Sequence, residues 1–223
     1  MPKRPETPPQ LLFLHSAATH CPTFRGLMAE ESPALAYAEV VDADLLRDVM
    51  AAGALTPALE ARLLAHLEAA KAEGVRAVLC TCSTLGGPAE RLGRGLGLVT
   101  LRIDRGMAEA AVAAGARILV LACIEATLGP TCDLLKEVAA AAGFDRDIGT
   151  ALIPEAWDHF LAGAQARYLQ SIADAIEAHD GSADVIVLAQ ASMADAADLC
   201  GPLRSRVLSS PRLGLRRALG ALT

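Results

Sequence analysis

The sequence predicts an α/β protein made of two pseudo-repeated halves, each a parallel sheet flanked by helices, with the site in the cleft between the two domains. Three observations support this. Short apolar runs alternate with longer helical patterns along the whole chain. The runs are apolar along their length, as expected of strands buried on both faces of a parallel sheet. The chain also resembles itself at a fixed spacing. Its 223 residues suit two compact halves of about 100 residues each. Hydrophobic residues make up 53 % of it and aromatics 3 %, so the core must be aliphatic.

Strands are expected at 11–15, 36–41, 77–81, 98–101, 117–122, 149–154, 185–189 and 206–208. Helices are expected at 23–30, 57–73, 88–94, 105–114, 131–142, 157–179 and 194–200. Pro57 and Pro88 stand where helices should start, and Gly74, Gly115 and Gly143 where they should stop. A shift of 108 residues lays Leu11, Ala18, Thr19, Pro22, Thr23 and Leu27 on Leu119, Ala126, Thr127, Pro130, Thr131 and Leu135. The same shift, without gaps, lays 77–82 on 185–190, Gly93 on Gly201, Val99 on Val207 and Gly106 on Gly214. This is the mark of an internal duplication. The expected domains are 11–102 with 205–223, and 103–204. Residues 1–10, with four prolines, read as a frayed tail.

The bulk properties exclude several functions. The net charge of −6 is scattered, and no basic stripe suggests nucleic acid. No apolar run approaches the ~18 residues of a membrane helix, and the tail lacks the apolar stretch of a secretory signal. Six cysteines, at 21, 80, 82, 123, 132 and 200, are not needed as staples in so aliphatic a chain. They are expected reduced, in the cytoplasm. No Cys-x-x-Cys pair exists and Cys80-x-Cys82 is too tight for a zinc knuckle, so no structural metal is expected. Gly93-x-Gly95-x-Gly97 precedes a strand, the wrong context for a dinucleotide fingerprint.

In open parallel sheets ligands bind beyond the carboxyl ends of the strands. Four such ends are 15–19, 82–85, 123–127 and 190–193. Cys82 follows an apolar strand and precedes two hydroxyls and a Gly-Gly-Pro turn. Free amides at the next helix start favour a thiolate there; the competing reading is an inert core cysteine. Cys80, inside the strand, reads as a small core residue, as does Cys123.

The run Cys82-Ser83-Thr84 resembles the first catalytic cysteine motif of the aspartate/glutamate/hydantoin racemase superfamily. The segment 98–107, with Arg102-Ile103-Asp104-Arg105, is similar to the entry to that family's second half. Segments 123–131 and 185–193 look like its remaining loops, and the resemblance runs from about residue 11 to 220. It implies a cofactor-independent enzyme, often a homodimer, in which one cysteine removes the α-proton of an amino acid and a second reprotonates the opposite face. None of Lys3, Lys71 and Lys136 is placed to hold pyridoxal phosphate. The family carries its second cysteine where this chain has Gln190, the repeat partner of Cys82. An amide is neither acid nor base near neutral pH, so symmetric two-thiol racemisation is not expected. Arylmalonate decarboxylases of the same superfamily work with one cysteine, in the other half.

The expectations are therefore Cys82 and Gln190 as catalytic candidates. His15, Ser16, Ser83, Thr84, Glu125, Thr127, Ala191 and Ser192 are expected to bind a small carboxylate or amino acid. One-thiol decarboxylation or isomerisation, or a small-acid binder that has lost turnover, remain the alternatives. The plainer readings also stand: His15 as a loop tether, Gln190 as an amide tying two loops, Glu125 as a helix-capping or solvated carboxylate, and Thr127 and Ser192 as loop caps.

Overall fold

The computed structural model describes residues 8–223. These form two compact units, residues 8–103 with 214–223, and residues 104–213. Of the expected tail, residues 1–7 lie outside the described residues, while Gln10 is tied down. Its amide donates to the Ala36 carbonyl, and its carbonyl accepts from Arg76 and Ala77.

The first unit contains β1 (Leu11–His15), β2 (Tyr37–Val41), β3 (Ala77–Cys80) and β4 (Val99–Arg102), in the order β2-β1-β3-β4. Every pairing is parallel. Side chains alternate along a strand, so each face of the sheet has its own apolar layer. Leu11, Phe13, Ala77, Leu79 and Leu101 pack with Phe24, Leu27 and Met28 of α1 (Cys21–Glu31) and with Leu215 and Ala218 of α9 (Ser210–Gly220). On the other face Leu12, Leu14, Val78 and Cys80 meet α2 (Ala43–Ala52), α3 (Pro57–Ala72) and α4 (Ser83–Leu96) through Leu45, Val49, Leu63, Leu67, Leu85 and Ala89.

The second unit repeats this plan. Strands β5 (Arg117–Ala122), β6 (Asp147–Leu152), β7 (Val185–Leu188) and β8 (Arg206–Ser209) run parallel in the order β6-β5-β7-β8. Helices α5 (Arg105–Ala114) and α6 (Glu125–Ala141) cover one face. The other is covered by α7 (Pro154–Leu161), α8 (Gln165–Ala178) and a 3₁₀ segment, Ala191–Leu199. Among the described residues, no helix is long and apolar enough to cross a membrane.

The duplication is thus present in the strand order, but its offset is not constant. Ala77 pairs with Leu11 and Val185 with Ile118, so β3 and β7 are 108 positions apart while β1 and β5 are 107 apart. Val99 and Arg206, which face Ala77 and Val185, are again 107 apart. Tyr37 and Ile148, which face Leu11 and Ile118, are 111 apart. Insertions have accumulated in the connections, where the sheet tolerates them.

Several expected boundaries move. Pro88 does not start a helix: α4 begins at Ser83 and carries Pro88 inside it. Gly86-Gly87 is therefore helical and not a turn; a Cβ at Gly86 would stand 2.6 Å from the Cβ of Arg102 on β4. Likewise α6 begins at Glu125 and contains Pro130. The long helix expected at 157–179 breaks at Gly163 (φ 67°) into α7 and α8. Helices α2 and α9 were not expected. Asp42 caps α2 by accepting the Leu45 amide at 3.0 Å. Because β8 pairs with β7, residues 205–213 fall in the second unit and not in the first.

Gly214 sets how closely α9 approaches the end of β4. A Cβ there would stand 2.1 Å from the Ile103 carbonyl oxygen, a backbone atom that cannot swing aside. Gly214→Ala is expected to cost about 2 kcal/mol or more through overpacking. Gly26→Ala, in exposed helix with nothing within 4 Å, should gain about 0.5–1 kcal/mol from helix propensity. Urea unfolding of the two variants checks both signs.

Candidate functional site

Each sheet ends in a cluster of polar residues at the carboxyl ends of its strands. In the first unit the connection after β3 is two residues long, so Cys82 is at once the strand's end and the N-cap of α4. Its backbone is extended (φ −111°, ψ 119°), and its carbonyl accepts a weak bond from the Cys80 thiol at 3.8 Å. The Cys82 side chain is 6 % exposed and belongs to the apolar layer of Leu12, Leu14 and Leu85. Ser83, buried, opens α4, and its carbonyl accepts from the Arg102 guanidinium at 3.5 Å. Thr84 is half-buried.

His15 ends β1 next door but faces the opposite side of the sheet. Its ring stacks on Phe13 at 5.7 Å between centroids and lies 5.4 Å from Phe24. Nδ1 is 2.9 Å from the Thr81 hydroxyl oxygen, which also lies 3.3 Å from the Leu14 carbonyl. In the Nδ1–H tautomer Thr81 accepts from His15 and donates to the Leu14 carbonyl, which also accepts the Thr81 amide at 3.0 Å. That assignment leaves Nε2 as a bare lone pair. It points towards Glu39 Oε1, 3.6 Å away. Burial, and then the charge of His20, push the His15 pKa down to about 4, so the ring is neutral near pH 7. His15 and Cys82 thus share a sheet edge without sharing a face. Ser16, buried, follows directly.

The end of β2 carries a third group. Asp42 takes the Arg62 guanidinium on both oxygens and His66 Nε2 at 2.7 Å. Burial works against its charge. The His66 bond, the Leu45 amide and Arg62 nonetheless hold its carboxyl below the usual range.

In the second unit Gln190 occupies the place of Cys82. It follows β7 by two residues and is the N-cap of the 3₁₀ segment, with an extended backbone (φ −117°, ψ 138°). Its Oε1 accepts the Cys123 amide at 2.6 Å, tying the loop after β7 to the loop after β5. Ala191 is half-buried beside it. Ser192 shares a 2.7 Å hydrogen bond with the Tyr168 hydroxyl. Thr127, buried in the first turn of α6, donates its amide to the Ile124 carbonyl, and its own carbonyl accepts from Thr131 at 2.9 Å. Glu125, exposed in that first turn, complements the helix dipole. Cys123 is 3 % exposed, and burial pushes its thiol up to about 12.

The structure therefore gathers His15, Ser16 and Cys82–Thr84 at one sheet end, and Glu125, Thr127 and Gln190–Ser192 at the other. Glu39, Thr81 and Tyr168 were missed from sequence. Glu39 had a signal: it is a carboxylate inside an otherwise apolar strand, Tyr37-Ala38-Glu39-Val40-Val41. Thr81 and Tyr168 had none beyond their polarity.

No family model and no curated protein matches the chain. Solved structures do. A glutamate racemase from Bacillus anthracis superposes with a TM-score of 0.69 at 14 % identity, covering 95 % of this chain and 80 % of that one. An aspartate racemase from Picrophilus torridus gives 0.66 at 12 % identity, with 95 % and 93 % covered. Unliganded arylmalonate decarboxylase gives 0.54 at 15 %, with 97 % and 93 % covered. The chain shares its fold with these two racemases and the decarboxylase.

Cys123 is expected to be silent as a nucleophile. With its pKa near 12 it should alkylate at least ~100-fold more slowly at pH 8.5 than in the urea-unfolded chain. Its rate should climb only as the pH approaches 12. Peptide mapping after iodoacetamide labelling measures this; fast labelling of Cys123 at pH 8.5 would contradict it.

Proposed function

We propose that the chain is a cofactor-independent enzyme of the racemase type, acting at the carbon next to the carboxylate of a small amino acid or carboxylic acid through the Cys82 thiol. The observation that carries this is the equivalence of Cys82 and Gln190. Two duplicated sheets of the same strand order offer the same post-strand N-cap position, and a thiol stands at one and an amide at the other.

Two thiols acting from opposite faces invert a carbon; one thiol and one amide do not. In this reading Cys82, at the N-terminus of a 14-residue helix, removes the α-proton or delivers a proton to one face of an enediolate. The N-terminus of a helix favours the thiolate and a nearby anion. Gln190 commits its Oε1 to the Cys123 amide, and its NH₂ is the half suited to a substrate carboxylate. Ser83, Thr84, Thr127 and Ser192 supply hydroxyls, Ala191 a backbone amide, and Glu125 a partner for a substrate ammonium. Arylmalonate decarboxylase among the similar structures, together with the single thiol, favours decarboxylation followed by one-face protonation as the second reading.

The test is a panel of enantiopure amino acids and substituted malonates incubated in heavy water. Deuterium entering Cα without loss of optical purity, or carbon dioxide released from a malonate, is expected. Either activity should fall ~10²–10⁴-fold in Cys82→Ser. Turnover untouched by that substitution would overturn the role of Cys82, and ligand binding without turnover would make the chain a small-acid binder. Gln190→Cys, which puts a thiol at the equivalent tip, is expected to turn stereoretentive exchange into racemisation, read by chiral chromatography.

A further inference from the structure

The face of the first sheet opposite Cys82 holds a cluster that the proposed reaction does not use. His15 Nε2, Cys21 and Glu39 Oε1 converge between β1, β2 and the start of α1. Their donor atoms, one from each residue, lie within 4.8 Å of one another. Strand register explains the convergence: Phe13 pairs with Glu39, so His15 and Glu39 are diagonal neighbours on one face, and α1 begins at Cys21 above them.

Two of these atoms are buried without a hydrogen-bond partner, His15 Nε2 and Glu39 Oε1. The His15 side chain is fully buried and that of Glu39 is 13 % exposed. They face each other at 3.6 Å as a lone pair against a carboxylate oxygen. In the Nδ1–H tautomer two acceptors face each other there, and a cation between them would join them. The other atoms of the pair are already engaged as a metal site would need. His15 Nδ1–H donates to Thr81, the outer bond that fixes a ligating imidazole in its tautomer. Arg25 holds Glu39 Oε2 at 2.7 Å and leaves Oε1 to point inward. His20 Nδ1, also buried without a partner, lies beside the group, its ring 6.5 Å from that of His15.

We propose that His15, Cys21 and Glu39 bind a divalent transition-metal ion, zinc by donor type, with His20 or water in the fourth position. One imidazole, one thiolate and one carboxylate is a borderline-soft set that suits zinc over magnesium or calcium. Zinc–ligand bonds of about 2.0–2.3 Å place tetrahedral donors about 3.3–3.6 Å apart. The His15–Glu39 separation of 3.6 Å already matches, and the Cys21 sulfur lies within 4.8 Å of both. The ion would pin α1 to β1 and β2, steadying the end of the sheet that carries Cys82.

The experiment uses the full chain stripped with a chelator and titrated with Zn²⁺ against a chromophoric competitor, then with Co²⁺ for the thiolate-to-cobalt band. One equivalent and a thiolate band are expected. Cys21→Ser should abolish the band. The near-isosteric Glu39→Gln should weaken binding at least ~10-fold and Thr81→Val about 10-fold, with circular dichroism unchanged. Cys82→Ser should keep both stoichiometry and band while losing turnover, which separates this site from the proposed reaction. Absence of saturable binding, binding that survives both Cys21→Ser and Glu39→Gln, or a band lost in Cys82→Ser would overturn it.

Discussion

A parallel sheet buried on both faces leaves polar side chains little place except its ends. That constraint organises both units. The central strands β1, β3 and β7 are buried at every position, and their backbone groups are satisfied by neighbouring strands. A carboxylate, hydroxyl or amide placed within them would need a buried partner. Apart from Glu39, within β2, the polar residues of the two clusters therefore collect at the carboxyl ends, where the chain turns into a helix. His15, Asp42, Cys82, Glu125 and Gln190 all occupy such ends, because the layers behind them are closed to polar groups.

The same alternation that builds two apolar layers also divides each end into two sides. Thr81 and Cys82 are consecutive, yet the Thr81 hydroxyl meets His15 on the α1 face while Cys82 joins Leu12 and Leu14 on the α4 face. One residue of strand separates a titratable cluster from a thiol. His15 is thereby a tether within its own layer, held by Thr81 and stacked on Phe13, and the cysteine's surroundings are aliphatic.

Much of this was legible in the sequence. The apolar runs located every strand to within about two residues, because a strand buried on both faces writes its hydrophobicity continuously. The match of 77–82 to 185–190 located the paired tips, and the strand register keeps that pair in place. What was not legible depends on tertiary contact. Gly86-Gly87-Pro88 carries the local signature of a turn, but the close approach of Arg102 needs glycine inside a helix. The helix that Asp42 caps, α2, was not expected. The cysteine count excluded a knuckle-type metal site because such sites show in spacing; donors on β1, α1 and β2 come together only through register.

The duplicated halves have also divided their chemistry. The first tip holds imidazoles, thiols and carboxylates: His15, His20, Cys21, Glu39, Asp42, His66 and Cys82. The second carries amides, hydroxyls and the exposed Glu125, and burial pushes its own thiol, Cys123, up to about 12. Its tyrosine is spent on Ser192, and its glutamine on the Cys123 amide. The hydrogen bond between Gln190 and Cys123 depends on the amide oxygen at residue 190, since a thiol there would not satisfy the Cys123 amide as an oxygen does.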